Sequence, residues 1–184
     1  MKKNLSIIVF IFLNIIYCFA QTETIQFPKN KQHSLFFELF GSSLHTYNIT
    51  YDCSFKMAEK HKIALCMGVH YTFAHVGYYG ISPQINYLYG KKNHLELGIG
   101  YSLLYRTPWD YNKGEFIFGF DDVKRYVPIR IGYRYQKEQG GFFWKIAYVP
   151  FYCVDEYNFY SVKGKNFAFV WCGVAFGYTF KYKK

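Results

Sequence analysis

The sequence predicts an all-β fold, namely an eight-stranded antiparallel up-and-down transmembrane β-barrel with periplasmic termini. Three observations predict it: a secretory signal at the start, eight stretches in which apolar and polar residues alternate, and connections that are alternately short and long. Successive side chains of a strand point to opposite faces, so an alternating stretch has one face suited to lipid and one polar face. Short turns at one end and longer loops at the other are typical of bacterial outer-membrane barrels.

Residues 1–20 have the features of a cleaved signal peptide. Two lysines precede an apolar stretch from Ile7 to Ile16, and Cys18-Phe19-Ala20 provides small residues at the cleavage site. We expect cleavage before Gln21 and export by a Sec-type route. The alternatives are an uncleaved anchor and lipidation at Cys18. The apolar stretch is short for a spanning helix of about 20 residues, and a bulky tyrosine precedes the cysteine.

The rest of the chain is expected to hold a polar leader over 21–31 and one barrel domain over 32–184. Tyr47–Phe55 illustrates the pattern, because its odd residues are aromatic or apolar and its even residues are polar. The predicted strands are Gln32–Gly41, Thr46–Phe55, His61–Phe73, Gly80–Gly90, His94–Arg106, Arg125–Gln136, Gly141–Cys153 and Phe167–Tyr182.

The predicted connections differ in length. Polar turns are expected at Lys56–Lys60, Lys91–Asn93 and Lys137–Gly140. The loops at the other end are Ala74–Tyr79, Thr107–Lys124 and Val154–Asn166, in addition to the short connection after the first strand. An even strand number places both ends of the chain on the side of the short turns, which is the periplasmic side.

The parity of the strands assigns a lipid-facing wall and an interior. The outward set is aliphatic in its middle and aromatic near both ends, as expected where rings lie at the headgroup level. Aromatic residues make up 23% of the chain. A soluble lipocalin-like barrel is the competing architecture, but it would have an apolar interior and a polar exterior, which is the reverse of this pattern.

The interior set contains three carboxylates and three strong bases. They are Glu38, Asp52, Glu96, Arg130, Arg134 and Lys145. Charges remain inside a narrow barrel only when they are paired, so the balance predicts internal ion pairs with a structural role. An eight-stranded barrel is just wide enough to be filled by its own side chains. We therefore expect a filled interior rather than a pore.

The charge and the cysteines exclude several classes of function. The formal charge is +10, but the basic residues are spread over strand ends and turns, where a barrel meets lipid headgroups, so we expect no nucleic-acid partner. That set of strand-end lysines includes Lys62. Cys53, Cys66, Cys153 and Cys172 form no CxxC pattern. We expect no metal site, no cofactor and no disulfide framework.

The long loop is the best candidate for contact with another molecule, because exposed aromatic residues on loops often bind partners. Its candidate residues are Trp109, Asp110, Phe116, Phe118, Asp121 and Asp122. The loop could equally fold over the barrel mouth. Two adjacent aspartates fall well short of a calcium-binding loop.

A catalytic alternative is a lipid A deacylase or acyltransferase, which needs a nucleophile activated by histidine. The deacylase pattern is His-x-Ser-Asn, and the nearest match is His70-Tyr71-Thr72, which lacks the serine and the asparagine. His70 and Thr72 are also expected to point inward, away from lipid. His45 and His75 have no matching serine and acid nearby. We therefore predict no catalytic residues.

Three stretches together resemble a known group of proteins. They are Phe36–Gly41 leading to Tyr47–Asp52, Asn86–Gly98, and Val127–Gln136 followed by Gly140–Phe143. They resemble small, mostly uncharacterised outer-membrane β-barrel proteins common in Bacteroidota, and the architecture is similar to OmpA/OmpX-type barrels. The resemblance implies the fold and the outer-membrane location, and it carries no activity.

The expected function is therefore non-catalytic. We expect an integral protein of the bacterial outer membrane that acts through its extracellular loops or as an accessory or structural component of the envelope. Its expected partners are outer-membrane lipids, including lipopolysaccharide, and a protein of a larger outer-membrane complex. A small channel is a third hypothesis.

Overall fold

A computed structural model describes residues 31–43, 47–72, 76–110, 115–116, 123–155, 166–168 and 171–180. The predicted signal peptide and most of the polar leader lie outside the described residues. Among the described residues, no helix has the length and apolar character needed to cross a membrane.

The described strands form one closed antiparallel barrel of eight strands, which confirms the predicted fold class. The strands are β1 (Lys31–Phe40), β2 (Tyr47–Ala58), β3 (His61–Thr72), β4 (Val76–Gly90), β5 (Asn93–Gly100 and Ser102–Asp110), β6 (Val123–Tyr135), β7 (Gly141–Tyr148 and Phe151–Cys153) and β8 (Phe167–Ala168 and Cys172–Phe180). A 3-10 turn at Gly41–Ser43 follows β1, and a two-residue strand, Glu115–Phe116, pairs with the end of β5.

Each strand pairs with its neighbour in sequence, and the last pairs with the first. The closing ladder runs from His33 opposite Phe180 to Phe40 opposite Gly173. Closure pairs β1 with β8, so neither of these two described strands is an open edge of the barrel.

The interruptions in β5 and β7 do not break the barrel wall. Tyr101, between the two parts of β5, donates its backbone N–H to the carbonyl of Pro83 at 3.0 Å. Between the two parts of β7, the carbonyl of Pro150 accepts a hydrogen bond of 2.8 Å from Ile129. A proline has no N–H to donate, so a short interruption at Pro150 is expected.

One inner turn and one outer loop are shorter than predicted. The predicted turn Lys56–Lys60 was wrong in extent, because β2 continues through a bulge to Ala58 and leaves only Glu59 and Lys60 in the turn. The predicted loop Ala74–Tyr79 was also wrong, because β4 begins at Val76. Its backbone pairs with both neighbouring strands there, and the Tyr79 and Tyr105 rings stack at 5.3 Å.

The long loop Thr107–Lys124 is likewise shorter than predicted. Strand β5 continues to Asp110 and β6 begins at Val123. The ladder between β5 and β6 ends at the pairing of Tyr105 with Val123. Beyond it, Thr107 and Pro108 pair with β4, and Trp109 and Asp110 pair with Glu115–Phe116. Strands can continue to pair through residues whose composition resembles that of a loop. Composition alone therefore overestimated the length of this loop.

Alternation of side chains divides the molecule into a wall and an interior. The exposed side of the wall is apolar and aromatic, and it includes Ile49, Leu65, Val69, Leu97 and Phe176. The interior holds three small apolar clusters separated by polar side chains. The barrel therefore has a largely polar core inside an apolar surface.

Candidate functional site

The six charged residues that the sequence places inside the barrel are all buried, and they form three ion pairs. The pairs are Arg134–Asp52 at 2.6 Å, Arg130–Glu38 at 2.7 Å and Lys145–Glu96 at 3.3 Å. All six side chains are 2% exposed or less. Three positive and three negative charges therefore compensate one another inside the barrel.

Each pair crosses the lumen between strands that are not hydrogen-bonded neighbours. Arg134 and Arg130 of β6 reach Asp52 of β2 and Glu38 of β1. Lys145 of β7 reaches over β6 to Glu96 of β5. The two arginine pairs connect distant walls of the barrel, whereas the lysine pair joins strands separated only by β6, and together the six side chains fill space inside the lumen.

Two uncharged side chains join two of the ion pairs. The amide of Asn86 donates hydrogen bonds to Glu96 at 2.8 Å and to the sulfur of Cys66 at 3.3 Å. The Cys66 thiol donates in turn to Asp52 at 3.6 Å. A charged hydrogen bond in a dry interior is worth more than one in water, so the chain from Asp52 to Glu96 supports both carboxylates.

Two aromatic rings lie between the interior cations. The Arg134 guanidinium lies 4.7 Å from the ring centre of Phe143, and the Lys145 ammonium lies 4.1 Å from that of Phe36. The two rings meet edge to face at 5.6 Å. A Cβ added at Gly177 would lie 2.7 Å from the Phe143 ring, so glycine there makes room for the rings. Both cations gain a favourable cation–π contact in addition to their carboxylate partner.

The turn after β1 folds into one mouth of the barrel, which was not predicted. Phe40 has φ of +62° and Gly41 of +56°, a left-handed region that L residues rarely adopt. A Cβ at Gly41 would also collide with the Glu38 carboxylate. These two residues reverse the chain and bury Ser42, which follows the predicted first strand.

Ser42 is bonded by several strands. Its hydroxyl donates to Glu38 at 3.1 Å and accepts from Gln84 at 2.6 Å and from Arg130 at 3.2 Å. Its carbonyl accepts a hydrogen bond of 3.0 Å from Ser102. The turn is thus attached to the walls β1, β4, β5 and β6, and it covers the Arg130–Glu38 pair.

An aromatic cluster also lies at this outer mouth. The indole N–H of Trp171 donates to the carbonyl of Gly41 at 2.9 Å. Its ring meets Phe40 at 6.0 Å and Phe151 at 6.1 Å, both edge to face, and Phe151 meets Tyr126 at 5.7 Å in the same way. The sequence could have indicated this cluster, because Trp171 lies two residues before the inward-facing Gly173 and so has the parity of an interior residue.

The other mouth is bounded by a lysine that was predicted wrongly. Lys62 was assigned to the headgroup region, but its side chain is buried and donates to the side-chain oxygen of Gln32 at 3.1 Å. The amide of Gln32 then donates to the carbonyls of Lys137 and Glu138 at 3.3 and 2.8 Å. The parity of β3, in which Ala64 and Cys66 face inward, places Lys62 inside.

The histidine considered as a catalytic residue lies in the interior. His70 is buried, and its neighbours across the sheet are Asn48 and Gly80. The side chain of Thr72 is not among those described, and His45 and His75 lie outside the described residues.

The candidate contact residues of the long loop are only partly described. The backbones of Trp109 and Asp110 end β5, and Trp109 pairs with Phe116. Phe118, Asp121 and Asp122 lie outside the described residues, and no side chain of the six is described. Their role as contact residues stays a prediction.

The four cysteines of the described barrel form no disulfide. Cys66 and Cys153 are buried, and Cys53 and Cys172 lie on the outer side of the wall. Within the described ranges, no group of three or more histidine, cysteine or carboxylate side chains is arranged to hold a metal ion.

Comparisons with known proteins give only distant structural similarity. No family model and no curated protein matches the chain. Two solved structures are similar. The N-terminal β-barrel domain of Pseudomonas aeruginosa OprF has 14% identity and a TM-score of 0.40, covering 82% of this chain and 98% of that one. Neisserial surface protein A (NspA) has 13% identity and a TM-score of 0.47, covering 83% of this chain and 94% of that one. The barrel fold of this chain rests on its own strand pairing.

Proposed function

We propose that this chain is an integral β-barrel protein of the bacterial outer membrane with a filled interior. It acts without catalysis, through its extracellular loops or as an accessory or structural component of the envelope. The observation that carries the proposal is the inverted distribution of polarity. Large apolar side chains are exposed around the whole wall, whereas six charges are buried inside.

The apolar wall is too extensive for a protein that faces water. Ile49, Val69 and Phe142 are 58%, 59% and 60% exposed, and exposed apolar side chains occur on every strand of the barrel. Water-facing surfaces rarely carry contiguous apolar patches of more than a few hundred Å². Lipid tails cover such a wall without exposing apolar surface to water, so this surface is stable in a bilayer.

The dimensions also support a membrane location. Strands β2 and β3 have 12 residues each, so each is about 40 Å long and, at a tilt of about 40°, about 30 Å high. This height matches the hydrocarbon thickness of a bilayer. Exposed aromatic residues lie near both ends, such as Tyr47 and Tyr152 at the end with the loops and Tyr89 and Phe180 at the end with the turns.

The orientation follows from the connections. The turns after β2, β4 and β6 are short, so the end that carries them is assigned to the periplasm. The predicted signal peptide is consistent with this location, and membership of the group common in Bacteroidota stays a prediction. The partners proposed are outer-membrane lipids, including lipopolysaccharide, and a protein that contacts the loops.

The test is membrane fractionation of cells that make the full-length protein with a tag. We expect the protein in the outer-membrane fraction, resistant to alkaline carbonate and released only by detergent. The folded barrel should also migrate differently from the boiled protein on a denaturing gel. A protein that alkaline carbonate releases would contradict the proposal.

The non-catalytic part is tested separately. Lipid A is analysed by mass spectrometry in cells with the gene, without it, and with His70→Ala. We expect the same lipid A masses in all three. A mass change that depends on the gene and is lost in His70→Ala would instead support a lipid-modifying enzyme.

A further inference from the structure

The periplasmic end of the barrel carries an excess of lysine side chains. Lys60, Lys92 and Lys137, here called the lysine arc, each lie in a different inner turn and are exposed. The carboxylates of the same rim, Glu59 and Glu138, are already paired with Lys91 and Lys56. Among the described residues, the lysine arc therefore has no carboxylate partner.

The pairing of both glutamates is electrostatically stable at neutral pH. Hydrogen bonding from Lys91 lowers the pKa of Glu59, and hydrogen bonding from Lys56 lowers that of Glu138. Both carboxylates are thus ionised at neutral pH, and each is paired with a lysine outside the arc.

The three turns that carry the arc are tied to one another through their backbones. Gly90 donates its N–H to the carbonyl of Lys60 at 2.7 Å, and Gln136 donates to the carbonyl of Lys92 at 2.9 Å. The carbonyl of Lys137 accepts a hydrogen bond from the side-chain amide of Gln32 in β1. The cations are therefore presented on a fixed rim, which reduces the entropy lost when a ligand binds.

The arc lies at the level where the wall changes from apolar to polar. The Lys92 ammonium is held 5.0 Å from the ring centre of Tyr135. On the same rim, the hydroxyl of Tyr87 bonds Nδ1 of His61, the first residue of β3, at 2.5 Å. Tyrosine hydroxyls that turn to polar partners mark the depth of the lipid headgroups.

We propose that the lysine arc binds the phosphate groups of anionic phospholipids in the inner leaflet of the outer membrane. The inference rests on the proposed membrane function, because it needs the barrel to be inserted with its short turns in the periplasm. Exposed lysines on turns with tied backbones, just beyond an apolar wall, fit a ligand with an anionic head and apolar tails. Each lysine near the membrane surface adds to the attraction of anionic headgroups.

The experiment uses the full mature barrel in vesicles of phosphatidylethanolamine with phosphatidylglycerol as the minor lipid. After mild detergent extraction, the lipids that stay bound are measured by mass spectrometry. We expect phosphatidylglycerol to be enriched several-fold over its share in the vesicle. The triple variant Lys60→Gln, Lys92→Gln and Lys137→Gln should retain about tenfold less phosphatidylglycerol than the wild type. The control Lys124→Gln, at the other end of the barrel, should retain as much as the wild type.

These glutamine substitutions preserve the backbone bonds, so we expect folding to be retained. The single variant Lys92→Gln, measured alongside, should show a partial loss. The inference would be overturned, and the proposed function would not, if the wild-type barrel inserts but retains no excess phosphatidylglycerol. The same holds if the triple variant retains this lipid fully. Displacement by glycerol phosphate without acyl chains would show a site for soluble phosphate and overturn it too. Failure of the wild-type barrel to insert would overturn the proposed function itself.

Discussion

The Nη1 atom of Arg134 lies 2.6 Å from Oδ2 of Asp52, and neither side chain is exposed. The two residues belong to β6 and β2, so the pair connects opposite walls of the barrel. Burying each charge alone would cost several kcal/mol, and the pair is stable only because the partner is in place.

Removal of the carboxylate should therefore destabilise the barrel strongly. We expect Asp52→Asn to lower the free energy of unfolding by about 3–5 kcal/mol, because it leaves the Arg134 guanidinium buried without a counter-charge. Urea unfolding in lipid vesicles measures this change.

The matched control is the exposed pair Lys56–Glu138 at the rim. Glu138→Gln should cost at most about 1 kcal/mol, as for other surface pairs. The double variant Asp52→Leu with Arg134→Met should recover most of the loss, because it removes both buried charges. Equal costs for Asp52→Asn and Glu138→Gln would contradict this account of the interior.

The hydrogen bond from Trp171 to the carbonyl of Gly41 should help to hold the inward turn. Trp171→Phe keeps an aromatic ring but removes the donor to the carbonyl of Gly41, so we expect a loss of about 1 kcal/mol. Amide hydrogen exchange of the segment that contains Ser42 should become faster. Trp144→Phe on the outer wall is the control and should leave this exchange unchanged. Unchanged exchange in Trp171→Phe would show that the turn does not depend on this bond.

A charge on the outer wall distinguishes a membrane barrel from a soluble one. Leu65 is 50% exposed near the middle of β3. In a bilayer, Leu65→Arg should cost about 2–4 kcal/mol, whereas Met57→Arg at the rim should cost about 0–1 kcal/mol. Urea unfolding in vesicles gives both values. In a water-facing wall both substitutions would be nearly neutral, and that outcome would contradict the proposed location.

The contact between Arg125 and Asp155 should give the outer rim a pH dependence. Burial raises the pKa of Asp155, but hydrogen bonds and the positive charge of Arg125 outweigh it and leave the pKa below its usual value. A lowered carboxylate pKa adds stability above the unfolded value of about 3.9, and this stability is lost as the pH falls through the folded pKa. The contact should thus persist at neutral pH and open only in acid.

The measurement for this contact is the carbon-13 titration of the Asp155 carboxyl group by NMR. Arg125→Gln should shift its midpoint upward, toward the ordinary value of an aspartate. A midpoint that is the same with and without Arg125 would show that the contact does not control the ionisation of Asp155.

The alternation of the sequence was enough to predict the strands and their faces. A period of two residues assigns Leu65 to the wall and Cys66 to the interior without knowledge of any contact. It could not predict which carboxylate meets which base, because that depends on the stagger between strands. The pairing of Arg134 with Asp52, which are 82 residues apart, is set by the closure of the barrel.

Two features of the structure conflict with local rules that were applied to the sequence. Lys62 was assigned by its position at the start of a strand, although its parity places it inside. The inward turn needs a left-handed conformation at Phe40, which an aromatic residue rarely adopts. The turn is stabilised by contacts of Ser42 with distant strands, and local sequence patterns do not indicate such long-range contacts.

The most direct test of the membrane barrel is a nitroxide scan along β3 in lipid vesicles, over residues 63–70 in a background without native cysteines. We expect accessibility to oxygen to alternate, with maxima at Ile63, Leu65, Met67 and Val69 and minima at the residues between them. Water-soluble nickel reagent should reach none of the four maxima. Maxima that are accessible to the nickel reagent, or accessibility without alternation, would contradict a lipid-facing wall around a filled interior.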